Sequence, residues 1–149
     1  MLLAICVTGC ASTMQPLSLI PQASVNAYQS PDPAEPHAIV VVYRDSSFTG
    51  AANYRWVGLD GSVIAGLLTA QRTQFAVSPG HHTVTVKSYC WWQWRDDAVR
   101  FEAVDGAFHY FLLTPSIPEC AGIVPIPGIQ AVEWHRNTKF VPPGTKGTR

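Results

Sequence analysis

Asn53-Tyr54-Arg55-Trp56-Val57-Gly58-Leu59-Asp60-Gly61-Ser62-Val63-Ile64-Ala65-Gly66-Leu67-Leu68 carries two apolar-rich runs on either side of Asp60-Gly61. A two-residue type I′ turn needs positive φ at both central positions, which Asp-Gly tolerates, and its twist matches that of paired strands. The stretch therefore predicts a β-hairpin. Working outward, Ala38 to Tyr43 (AIVVVY) is a continuous apolar run that suits a central strand buried on both faces. Gln71 to Val77 leads into Ser78-Pro79-Gly80, a further turn. Thr83 to Tyr89 alternates, with Val84, Val86 and Cys90 on one face and Thr83, Thr85 and Lys87 on the other, so Cys90 is expected to point inward. Ala98 to Val104 and Ala107 to Leu113 flank Asp105-Gly106 and read as a second hairpin of the same chemistry. Ile129 to Arg136 is expected as the last strand, after a Pro- and Gly-dense loop from Pro115 to Gly128. Turn signals recur about every eight to twelve residues and no useful 3.6-residue period appears. The expected fold is all-β, a small antiparallel β-sandwich of about seven to eight strands.

Length allows one modest core, since a leader and a tether leave little over a hundred of the 149 residues. Lys plus Arg number 10, as do Asp plus Glu, and only 13% of residues are charged, with no basic run inside the domain, so the footprint of a nucleic-acid binder is missing. Residues from Ala11 to Pro36 are rich in Ser, Pro, Ala and Gln and read as a tether with a mean reach of about 30 Å. Within it Leu17-Ser18-Leu19-Ile20 could instead dock as an edge strand. The end, Asn137 to Arg149, carries Lys139, Lys146 and Arg149 without an acid. It reads as a basic flexible tail that could lean on anionic headgroups. The expected division is thus 1–9 leader, 10–36 anchor and tether, 37–136 sandwich, 137–149 tail.

Val7-Thr8-Gly9-Cys10, closing the short apolar run from Met1, resembles the lipobox of bacterial lipoproteins. That resemblance implies cleavage before Cys10, diacylglycerol on its thiol and acylation of its freed amine. The alternative is a plain apolar N-terminal strand. Each buried acyl methylene contributes about 0.8 kcal/mol, so three chains would anchor permanently. Ala11 stands where an Asp would retain such proteins at the inner membrane, so the implied address is the outer membrane, facing the periplasm. Cys6 leaves with the leader and Cys10 takes lipid, which leaves Cys90 and Cys120 in an oxidising compartment, where pairing is expected in preference to two buried thiols. A bridge closing about 30 residues would contribute about 3.5 kcal/mol on the entropy model.

Three further segments carry a wider likeness: Ala38 to Arg44 followed by Ser47-Phe48-Thr49-Gly50-Ala51, then Leu59-Asp60-Gly61, then Ser78-Pro79-Gly80-His81-His82-Thr83. Together they resemble a family of small bacterial envelope lipoproteins that carry a domain of unknown function. The resemblance spans about His37 to Leu113. It implies a transthyretin-like, or prealbumin-like, sandwich on a lipid anchor and brings no catalytic residues.

For chemistry, no Gly-x-Ser-x-Gly elbow, His-Glu-x-x-His or phosphate loop occurs, so no enzyme, cofactor or metal is expected. His81-His82 invites a metal reading with His109 or His135, but neighbours on an extended chain point to opposite faces. Asp96-Asp97 is expected as a loop pair of solvated charges. The segment Tyr89-Cys90-Trp91-Trp92-Gln93-Trp94-Arg95 is the densest cluster of binding-type residues. If extended, it puts Trp92 and Trp94 on one face and Trp91 on the other, so some indole lies at the surface. Trp91, Trp92, Trp94 and Arg95 are then a candidate platform for a partner protein or glycan; alternatively they cap the sandwich against the Pro-rich loop. The expected function is a non-enzymatic accessory or interaction module of the envelope, held by lipid and bound to another envelope protein. Two alternatives stay open: a binder of carbohydrate or peptidoglycan fragments, and the outer-membrane lipoprotein of a secretion system.

Overall fold

The computed structural model describes residues 28–46, 53–90, 93–114 and 122–148. Its strands are β1 (Ala38–Arg44), β2 (Arg55–Leu59), β3 (Ser62–Leu67), β4 (Gln71–Val77), β5 (Gly80–Cys90), β6 (Gln93–Ala103), β7 (Phe108–Thr114), β8 (Gly122–Ile126) and β9 (Lys139–Phe140), with one helix, α1 (Gly128–Arg136), before the last. They form a five-stranded sheet in the order β8-β7-β1-β4-β9 and a four-stranded sheet in the order β3-β2-β5-β6, a small all-β sandwich.

The opening hairpin forms as its sequence requires. Asp60 and Gly61 hold φ of 48° and 86°, the two positive values of a type I′ turn, between paired Leu59 and Ser62. β1 is the central strand of its sheet, with β4 and β7 on either side. Val40 and Val42 enter the core between the sheets, while Val41 and Tyr43 are buried on the outer face beneath α1. A continuous apolar run, rather than an alternating one, is what a strand covered on both faces needs. Val84 and Val86 of β5 are fully buried in the main core, as their parity predicts.

Four expectations are corrected. The sheets are mixed rather than wholly antiparallel, because β1 pairs with β7 and β4 with β9 in parallel. Asp105-Gly106 closes no hairpin: β6 and β7 belong to different sheets. Here Gly106 alone is left-handed, at φ 72°, Ala107 N–H donates to Val104 O at 3.0 Å, and Gly106 N–H donates to His37 O at 3.0 Å. That is the type II geometry of an inter-sheet corner, which the dipeptide serves equally well. Ile129 to Arg136 is helical, not a strand. Pro127 is preset for a helix start, Gln130, Ala131 and Glu133 are helix-tolerant, and laying Ala131 and Trp134 over Tyr43 and Tyr110 covers the outer face. Within the expected loop from Pro115 to Gly128 lies β8, an edge strand that tolerates Pro125 because one side of it needs no donor.

Of the expected tether only residues 28–36 are described, and these, like residues 137–148, pack on the sandwich. Tyr28 packs edge-on against Phe75 at 5.6 Å and its hydroxyl donates to Ala76 O, so the packed body begins before His37. Downstream, β9 pairs with β4, and Val141, 4% exposed, joins the core. Thr145 O accepts Gly66 N–H at 3.1 Å, and Gly147 N–H donates to Gly66 O at 2.8 Å. Residues 139–141 thus extend the β4 side and residues 144–147 seal the β3 edge, instead of trailing as a flexible tail.

Candidate functional site

The β5–β6 hairpin dominates one end of the sandwich. Both strands are eleven residues long, and their pairing runs from Gly80 opposite Ala103 to Cys90 opposite Gln93. β2 supports β5 only as far as Ser88, which faces Arg55, so Tyr89-Cys90 and Gln93-Trp94 project beyond it. Along β6 every residue from Gln93 to Ala98 is exposed, on both faces. This half of β6 buries neither face, which leaves its surface free for contact, while Val99, Phe101 and Ala103 in the other half meet the core. Trp94 is 38% exposed and meets the ring of Tyr89, its cross-strand neighbour, edge-on at 5.5 Å. Arg95 is exposed opposite Ser88. Of the expected platform, Trp94 and Arg95 are therefore accessible on a strand, not on a loop. Trp91 and Trp92 lie outside the described residues, as do Cys10, Cys120 and the side chain of Cys90, and with them the expected disulfide. Asp96 and Asp97 are likewise strand residues: Asp97 accepts Ala98 N–H at 2.9 Å and Ile123 N–H at 3.0 Å, fastening β8 beside β6.

Beneath this end lie two buried arginines that the sequence analysis does not single out. Arg44, 2% exposed, donates through Nη1 to Asn53 O at 2.5 Å and Leu67 O at 2.7 Å. Arg55, 4% exposed, donates through Nη1 to Thr114 O at 2.5 Å. Burial pulls Arg44 down to about 10, with the neighbouring Arg55 adding to the fall and Asp45 opposing it. Burial lowers Arg55 as well, again against Asp45. Arg44 stays charged at neutral pH, and the two guanidinium groups tie the Asn53 carbonyl and the strand-end carbonyls of Leu67 and Thr114 at the foot of the hairpin. Their signal was parity: Arg55 has the inward phase of Val57 and Leu59.

The opposite end holds His81, His82 and His109. His82 Nδ1 is 2.6 Å from Asp60 Oδ2 and Nε2 is 2.7 Å from Ser78 O, while Asp60 Oδ1 accepts Thr83 N–H at 2.8 Å. Burial would depress His82, but the hydrogen bonds to Asp60 and Ser78 and the Asp60 charge outweigh it, raising its pKa. With both ring nitrogens facing acceptors, the ring is suited to the doubly protonated state and has no nitrogen left for a nucleophile. It borders a cleft of about 270 Å³ lined by Tyr28, Leu59, Ala76 and Ser78. His81 is exposed on the other face, opposite Glu102. His109 sits against Phe101 at 4.8 Å in a second cleft, of about 340 Å³, and burial lowers its pKa. His135 lies across the outer face, 3.4 Å from Tyr43 Oη. The four are thus dispersed, and among the described residues no three His, Cys, Asp or Glu side chains converge on one point. No helix of the described residues is long and apolar enough to cross a membrane.

No family model matches the chain, and no curated protein matches it either.

Proposed function

We propose that this protein is a non-enzymatic interaction module of the bacterial cell envelope, held in the outer membrane by acylated Cys10 and presenting its β5–β6 hairpin to an envelope partner. The supporting observation is the projecting hairpin, whose β6 strand exposes Trp94, Arg95 and Asp96 on a surface the core does not need. Aromatic and arginine side chains are the types that dominate binding energy at interfaces. The reading is supported by the small all-β sandwich and draws its anchor from the lipobox resemblance of Val7 to Cys10.

The test is site-specific photo-crosslinking in the native host. A photoreactive residue at Trp94 or Arg95 should yield a discrete adduct with an envelope protein, and one at Gln74, exposed on the far sheet, should not. Equal or absent adducts at all three sites would refute the hairpin as the contact surface. The exposed Trp94, flanked by Gln93 and Arg95, also fits stacking on a sugar ring. In that case muropeptides would quench tryptophan fluorescence in the parent chain and not in Trp94→Ala.

A further inference from the structure

Three of the four sheet edges are blunted. The β3 edge is covered by residues 144–147, through hydrogen bonds to Ile64 O and to both backbone groups of Gly66. On the β4 side the sheet ends in the two-residue β9, and β8 is short and carries Pro125. β6 differs: it is eleven residues long and ends its sheet, and among the described residues its neighbour beyond that edge is β8 of the other sheet, fastened through Asp97 to Ile123 N–H. Long open edges invite strand addition, and charges on them normally restrict it. The charges of β6 are spaced so that one particular strand is still accepted.

We infer that β6 pairs antiparallel with β6 of a second copy of this chain, about a two-fold axis at Ala98, joining the two four-stranded sheets into one. Ala98 is the midpoint of Gln93–Ala103, so this register overlaps the whole strand. It places Asp96 opposite Arg100 of the second copy and Arg100 opposite its Asp96. Both residues are exposed, and their β5 neighbours in register, Lys87 beside Asp96 and Thr83 beside Arg100, add no like charge to either. On the other face Arg95 comes opposite Phe101 of the second copy. Shifting the centre by one or two residues either way opposes like charges in every case: Asp96 to itself, Asp97 to itself, Asp96 to Glu102, or Arg100 to itself. Directly opposed like charges destabilise a strand pair, so the pattern selects one register and disfavours its slips. A two-fold, self-complementary contact also closes at the dimer and leaves no new edge for fibre growth.

The inference names a second copy as the envelope partner of the β6 surface and so rests on that reading of the surface, not on lipid anchoring; if the chain fails to associate, crosslinking at Trp94 or Arg95 still tests the surface for a different partner. The full chain bearing Cys10→Ser, which carries no acyl group to drive association, is followed by sedimentation velocity over a wide range of protein concentration. A reversible monomer–dimer equilibrium is expected. Asp96→Arg and Arg100→Asp should each weaken it about tenfold or more, because every single reversal creates two like-charge oppositions, and the double reversal should restore it to within about threefold. Circular dichroism verifies that each variant is folded. Should a reversal unfold the chain, Ala98→Lys, which opposes two ammonium groups across the axis, must abolish the dimer instead. A monomer at every concentration, a dimer indifferent to these changes, or a double reversal that fails to restore association would overturn the inference.

Discussion

His82 shows how one side chain couples two turns. Its ring links the carboxylate of the β2–β3 turn to the carbonyl that ends β4, and it does so best when protonated. Because its folded pKa is raised above 6.5, its contribution is fully present below that value and is lost as pH rises through the folded pKa. Urea midpoints of the parent should therefore fall more steeply with rising pH across that window than those of His82→Gln; parallel profiles would deny the coupling. At the hairpin, Trp94→Ala should cost less stability than Val84→Ala. Trp94 keeps much of its ring in water, whereas Val84 is fully buried and its truncation leaves a cavity worth about 2 kcal/mol. If Trp94→Ala proves the more damaging, its indole is a packing residue, and the hairpin loses its main support as a contact surface. The valines could be assigned from alternation alone. Arg44 and Arg55 could not be given a role that way, because a composition-based reading puts charge outside; what holds them inside is backbone carbonyl geometry that only the folded loops create.

Among the elements, strands with a two-residue period were readable, and the places that misled are those where a short signal serves two geometries. Asp-Gly fits a type I′ hairpin at residues 60–61 and a type II corner at 105–106; the sequence around each turn does not say whether the flanking strands share a sheet. Residues 129–136 lack a strong helical stripe, since Ile129 and Val132 stay exposed, and tertiary cover over Tyr43 rather than periodicity makes them a helix. The C-terminal segment looked frayed because it is polar and rich in Pro and Gly, yet its backbone satisfies an otherwise open β3 edge. Deleting residues 138–149 should therefore lower the thermal midpoint markedly, through loss of buried Val141 and exposure of that edge; an unchanged midpoint would return the segment to the status of a tail. Gly66→Ala should destabilise by about 1 to 3 kcal/mol, because its Cβ would stand 2.8 Å from the buried Trp56 ring. Chemical denaturation measures this, and a neutral result would mean that the indole can shift.

For the molecule as a whole, the all-β sandwich followed from turn chemistry and parity, while its mixed sheets did not, because a parallel junction such as β1–β7 joins strands far apart in sequence and leaves no local trace. The proposed function draws on two points of different kind: the hairpin surface, of which Trp94 and Arg95 are described, and the lipobox resemblance of Val7 to Cys10, which implies an acyl anchor. It joins them as a sandwich held at the membrane and displaying one projecting hairpin. Since lipid is proposed as the sole attachment, removing its acceptor must release the protein. The direct measurement is fractionation of native-host cells expressing the parent or Cys10→Ala at matched levels. The parent should sediment with outer membranes and the variant should be released from the membrane fraction; a variant that still sediments with outer membranes would contradict the proposed anchor.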